Sequence, residues 1–165
     1  MTGSVFVLNG PNLNLLGTRE PEIYGRDTLD DIAARLTNRA SELGIAVDIR
    51  QSNHEGHLID WLHEAAATGA KAVILNAGGY THTSIALRDA ISAIPVPVIE
   101  VHLSDPMQRE PFRHTNYLSD VCMLATGGFS HFRRVGRPFS GSSSMVPRSQ
   151  DCQPGGTRLP SLFPA

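Results

Sequence analysis

The sequence predicts an α/β protein: a doubly wound, five-stranded parallel sheet with helices on both faces, in three α/β/α layers. Three observations carry that expectation. Short β-branched runs of four or five residues alternate with amphipathic stretches, the pattern of βαβ crossovers. The apolar fraction of 41% and charged fraction of 18% belong to a chain with a packed core rather than a disordered one. A length of 165 residues is enough for one domain of this kind.

The elements follow in order. Ser4–Leu8, closed by Asn9-Gly10-Pro11, reads as a buried strand. Asp27 to Gly44 reads as an amphipathic helix, with Leu29, Ile32, Ala33, Leu36, Ala40 and Leu43 on one face. Thr28 and Asp31 have capping-box spacing and Gly44 supplies the stop. Ile45–Ile49 alternates as a second strand. Ser52 and Glu55 again have capping-box spacing, opening a helix with Leu58, Ile59, Leu62 and Ala65 inward and a stop near Gly69. Ala72–Leu75 is a third strand, Ser84–Ala93 a third helix, Val98–Val101 a fourth strand and Val121–Ala125 a fifth. Five parallel strands in this order suit a flavodoxin-like sheet, whose ligands lie beyond the carboxyl ends of the strands near the switch point.

Position alone therefore nominates four loops: Asn9–Asp27, Gln51–Gly56, Asn76–Thr83 and His102–Tyr117. The first runs NGPNLNLLGTREPEIYGR, eighteen residues, long for a βα connection and suited to a lid or binding loop. It carries Asn12, Asn14, Arg19 and Tyr24, and it lacks the GxGxxG of a dinucleotide fingerprint. The third, NAGGYTHTS, offers Asn76, paired glycines that permit close backbone approach, and His82 near a helix start, where amides favour an anion. Taken singly, its Thr81, Thr83 or Ser84 needs no role beyond capping that helix. In the fourth, Glu100 and His102 are two apart on a strand and share a face. A glutamate there fixes the tautomer of the imidazole and makes it a better proton donor. Ser104 follows, and Arg109 and Arg113 are four apart, the spacing of one helical face.

Several function classes recede on composition. The net charge is −2, so no global basic surface invites nucleic acid or anionic lipid. No apolar run reaches membrane-spanning length and the N-terminus lacks the regions of a signal peptide. Two cysteines, Cys122 and Cys152, are too few for a disulfide scaffold, and a cytoplasmic setting is expected. Of the seven histidines, His54, His57, His82 and His102 lie in or near the nominated loops. They come with no HExxH, no Cys pair and no carboxylate set of ligand spacing, so no metal site and no cofactor are expected. Thirteen of the fourteen basic residues are arginine. With Lys71 the single lysine, Schiff-base and P-loop chemistry have little to work with.

The segments GPNLNLLGTREPEIYG, QSNHEGHLIDWLHEA, NAGGYTHTSIALRDA and EVHLSDPMQREPFRH together resemble the type II 3-dehydroquinate dehydratases. The resemblance runs from about Val5 to Gly128 with all four segments in order. It implies a hydro-lyase that converts 3-dehydroquinate to 3-dehydroshikimate plus water through an enolate, a step of the shikimate pathway, without metal or Schiff base. On that resemblance Tyr24 is the base, acting as phenolate with Arg19 as activator and Arg109 nearby. Asn12 stabilises the enolate through a bound water, and His102, oriented by Glu100, protonates the departing hydroxyl. Asn76, His82 and Arg113 hold substrate hydroxyls, while Ser104 and the Leu103 backbone receive the carboxylate. Asp89 reaches into a neighbouring subunit's site, with Arg88 supporting that interface. The family commonly forms dodecamers assembled from trimers, so a homo-oligomer is expected.

The resemblance stops near Gly128. Residues 1–128 read as the catalytic domain and 129–165 as an atypical, poorly ordered Pro/Ser/Gly/Arg-rich tail. The tail has a charge of +4, leaving −6 to the body, and Pro, Gly and Ser make up sixteen of its thirty-seven residues. Family members usually continue into a final amphipathic helix, and no helical stripe stands here. A lineage-specific tail and a shifted reading frame both fit. Two other functions therefore stay open beside the hydro-lyase: a catalytically impaired relative, and a non-catalytic small-molecule binding module on the same fold.

Overall fold

The strand that organises the sheet is β1, Val5–Asn9, in the computed structural model, which describes residues 3–18, 26–127 and 131–133 (backbone alone for 124–127 and 131–133). β1 pairs in parallel with β2 (Val47–Gln51) on one side and β3 (Ala72–Asn76) on the other. β3 pairs with β4 (Val98–His102), and β4 with β5 (Leu124–Gly127), again in parallel. The order β2-β1-β3-β4-β5 is the flavodoxin-like order expected from sequence. A sixth strand, β6 (His131–Arg133), adds antiparallel to the edge of β5. It falls in the stretch the sequence assigns to the tail, and three residues are too few for a periodic pattern to mark them.

Among the described residues, three α-helices cover the sheet. α1 (Leu29–Glu42) connects β1 to β2, α2 (Glu55–Ala67) connects β2 to β3, and α3 (Ile85–Ala93) connects β3 to β4. Crossovers are right-handed, so a chain that moves one way from β1 and the other way from β2 must place α1 opposite α2 and α3. The α2/α3 face holds the main core. Phe6, Leu8, Val73, Leu75 and Val98 from the sheet meet Leu58, Leu62 and Ala65 of α2 and Leu87, Ala90 and Ile91 of α3. On the other face Val7 is buried, whereas Ile74, Ile99 and Val101 are half-buried.

Local signals explain most boundaries. Thr28 caps α1 through the full reciprocal box with Asp31, as its spacing predicts. The helix ends in a Schellman motif: the Gly44 amide donates to the Ser41 carbonyl and the Ile45 amide to that of Ala40. Ile45 is thereby spent on the helix end, and β2 starts at Val47 rather than at Ile45. Gly69 and Ala70 close α2 in the same way. The Ser52–Glu55 capping box does not form. Ser52 is buried; its hydroxyl accepts from the His54 amide and pairs with His57 Nδ1 at 2.8 Å, leaving His54 at the cap position without a side-chain bond. Ser84 does cap α3, accepting from Leu87 N. β5 begins at Leu124 instead of Val121, because the Val121 and Cys122 amides turn back to the Leu118 carbonyl.

Candidate active site

The carboxyl ends of β1, β3 and β4 open on a pocket of about 200 Å³. It stands at the switch point, where the chain leaves β1 in one direction and β3 in the other. Two glycines let the loops converge there. Gly10 donates its amide to the Asn76 carbonyl at 2.8 Å and lies against Ala77, and Gly78 adopts φ 57° beside Pro11. Asn12 is the one described non-glycine residue at positive φ, 66°, a conformation asparagine tolerates. Its amide is held by Asn53 Oδ1 at 2.9 Å.

Eight of the residues singled out from sequence line this pocket: Asn12, Asn76, His82, His102, Leu103, Ser104, Arg109 and Arg113. Glu100 does not line it but stands directly behind, fully buried, with His102 Nε2 2.9 Å from Oε1. An ionised carboxylate only accepts, so Nε2 carries the proton of that bond and Nδ1 is the remaining ring nitrogen. Burial pushes the Glu100 carboxyl up. Bonds from His102, Asn116 and Thr81 and the His102 charge more than offset it, so the group sits below its ordinary range. His82 Nδ1 bonds the Thr115 carbonyl at 2.7 Å, leaving Nε2 for a ligand.

Asp89 sits exposed on α3 and does not line the pocket. Arg88 beside it is engaged within the chain, by Asp120 and by the Tyr117 carbonyl at 2.9 Å. Arg19 and Tyr24 lie outside the described residues. The two pocket arginines do not share a helical face. Short 3₁₀ turns at Pro106–Gln108 and Pro111–His114 flank Arg109, since each proline favours a fresh turn start over a continuous helix. Glu110 joins the pair instead, 2.8 Å from Arg113 Nε and 3.5 Å from Arg109 Nε.

Sequence reasoning missed Asn116, whose Nδ2 donates to both Glu100 oxygens at 3.1 Å. It also gave Thr81 no role beyond helix capping, yet Thr81 Oγ1 donates to Glu100 Oε1 at 3.0 Å. Both lie in nominated loops, which was the only available signal. Cys122, free and buried, is no nucleophile: burial and the nearby Glu100 and Asp120 carboxylates push its thiol up to about 12. Among the described residues, no group of three or more His, Cys, Asp or Glu is placed to hold a metal ion, and no helix is long and apolar enough to cross a membrane.

Fold and pocket define a flavodoxin-like α/β protein whose small polar cleft couples two arginines to a buried carboxylate–imidazole pair, equipment for acid–base chemistry on a small anionic molecule. The sequence profile of the family described as Dehydroquinase class II matches residues 3–133. A relative from Caulobacter vibrioides, named 3-dehydroquinate dehydratase, is 57% identical over 132 residues, covering 80% of this chain and 88% of its own. One of the same name from Rhodopseudomonas palustris (strain BisA53) is 53% identical over 129 residues, 78% and 85% of the two chains. The crystal structure of type II dehydroquinase from Propionibacterium acnes superposes with a TM-score of 0.75 at 42% identity, covering 78% of this chain and 88% of that one. The chain belongs to the class II dehydroquinase family.

Proposed function

We propose that this chain is a 3-dehydroquinate dehydratase of the shikimate pathway, a lyase that removes water from 3-dehydroquinate to give 3-dehydroshikimate. The observation that carries the reading is the Glu100–His102 pair at the wall of a pocket lined by Arg109 and Arg113, in a chain of this family.

Tyr24 removes the proton from the carbon beside the ketone. An ordinary tyrosine ionises near pH ~10, so the phenolate depends on Arg19, with Arg109 in support. The electrons of the broken C–H bond pass into an enolate, which Asn12 stabilises through a water. His102 gives its proton to the hydroxyl as the C–O bond breaks, and the enolate collapses to the conjugated enone plus water. Asn76, His82 and Arg113 hold the substrate hydroxyls, and Ser104 with the Leu103 backbone takes the carboxylate. Residues 1–128 form the catalytic body and 129–165 the tail. The protein works in the cytoplasm as a homo-oligomer, a dodecamer assembled from trimers in which Asp89 serves a neighbouring site.

The test is direct. Purified protein mixed with 3-dehydroquinate should produce the ultraviolet absorbance of a conjugated enone, and His102→Ala should lose most of that rate. A flat trace from folded wild-type protein removes the assignment.

A further inference from the structure

The Glu100 carboxylate takes four hydrogen-bond contacts from three side chains. His102 Nε2 and Thr81 Oγ1 reach Oε1 at 2.9 and 3.0 Å, and Asn116 Nδ2 spans both oxygens at 3.1 Å. Oε1 takes three of these contacts and Oε2 one, so the donors converge on the oxygen that faces His102. Glu100 and Thr81 are both fully buried, so bulk water does not reach the place of the Thr81 hydroxyl. A buried charge in that position depends strongly on its partners.

The two donors are themselves tied together. The Tyr117 amide donates to the Thr81 carbonyl at 3.0 Å, while the neighbouring Thr115 carbonyl receives His82 Nδ1. One short strap, residues 115–117, thus braces the turn that carries Thr81 and His82, and its middle residue grips Glu100. Asn116 is anchored in turn by its own Oδ1, which accepts from the Leu118 and Ser119 amides at 2.8 and 2.9 Å.

We propose that Asn116 and Thr81 are positioning residues for the proton-donating step: they fix the Glu100 carboxylate, and through it the orientation and charge of the His102 ring. The proposal rests on the reading of His102 as the acid. Losing a donor lets Glu100 take up a proton sooner as the pH falls, which removes the counter-ion of the imidazolium. The titratable groups facing Glu100 among the described residues are His102, from its own strand, and Cys122, from the turn before β5.

Asn116→Asp separates this role from a structural one. It keeps the Oδ1 acceptor that holds the 118–119 turn and replaces the amide that donates to Glu100 with a second carboxyl. The like charge of that carboxyl also favours a proton on the pair, so Thr81→Val is the charge-neutral arm. Thr81→Val removes only a hydroxyl, and it carries the test by itself should Asn116→Asp fail to fold. With general acids contributing about 10²–10⁴ in rate, each variant should lower kcat about tenfold or more, with KM changed less than about twofold. The acid limb of the kcat–pH profile should move to higher pH, and Thr81→Ser should restore both. In a Glu100→Gln background, Thr81→Val should cause no further loss of kcat, because it acts through the missing carboxylate. An unmoved pH profile, or an equal further loss in that background, overturns the proposal. Failure of the underlying reading looks different: wild-type protein would then be inactive, or His102→Ala as active as wild type. An imidazole ¹H–¹⁵N spectrum gives a readout without turnover, since the His102 Nε2–H signal should shift in Thr81→Val, and an unchanged signal counts against the proposal.

Discussion

Gly10 and Ala77 touch: a Cβ on Gly10 would stand 2.6 Å from the Ala77 carbonyl oxygen. That contact closes the gap between the loops after β1 and β3, and so sets the separation of Asn12 from Asn76 across the pocket.

Gly10→Ala should therefore act at a distance. The backbone oxygen cannot swing away as a flexible side chain can, so the β1 loop must shift. The cost expected for such overpacking is about 1–3 kcal/mol. Thermal denaturation should show a lower Tm, and KM for 3-dehydroquinate should rise several-fold. A variant with unchanged KM would mean that the two loops are not held at their separation by this contact.

Tyr24→Phe removes only the proton-accepting oxygen. Expected is a loss of about 10²–10⁴ in kcat with substrate binding retained. Binding can be followed calorimetrically while turnover is read from the enone absorbance. Normal turnover in this variant would transfer the role of base to another group.

Glu100→Gln tests the buried carboxylate in two ways. At neutral pH the variant should be less stable by about 1–3 kcal/mol, since an amide cannot accept all four bonds. The pH dependence follows from the direction of the shift. Glu100 ionises in the folded state below its ordinary 4.5, so its contribution is fully present above that value and fades as the pH falls through the lower, folded-state value. Denaturant unfolding between pH 7 and 3 should accordingly show a shallower loss of stability in Glu100→Gln than in wild type. Parallel curves would place the acid sensitivity elsewhere.

Leu62→Ala should separate stability from chemistry. Leu62 is fully buried on α2 in the main core and does not line the pocket. Truncation should cost about 2–5 kcal/mol, visible as a lower denaturation midpoint, while kcat per folded molecule stays near wild type. A kcat loss without a stability loss would contradict this division.

Much of this arrangement was legible because its signals are local. Glu100 and His102 had to share a face once that run was a strand, and the loops at the carboxyl ends were set by the alternation of strands and helices. Thr28 and Asp31 capped as their spacing required. Ser52 and Glu55 had the same spacing and did not, because the Ser52 hydroxyl found His57 and the His54 amide, a choice decided by burial. Asn116 reaches Glu100 from sixteen residues along the chain, a contact no local pattern encodes. Arg109 and Arg113 reach the same pocket through two proline-started turns, where spacing alone suggested one helix.

The position of β1 between β2 and β3 has a consequence for biosynthesis. Val5 must find Val47 on one side and Ala72 on the other, so β1 emerges from the ribosome well before either neighbour. Until they arrive, its apolar side chains and both rows of backbone groups have no native partner. Long-range parallel pairing of this kind folds slowly, and the wait exposes the nascent chain to aggregation. The residues after β1, among them Asn12, thus cannot take up their pocket positions until β3 has been made, and the pocket is complete only once His102, Arg109 and Arg113 have followed.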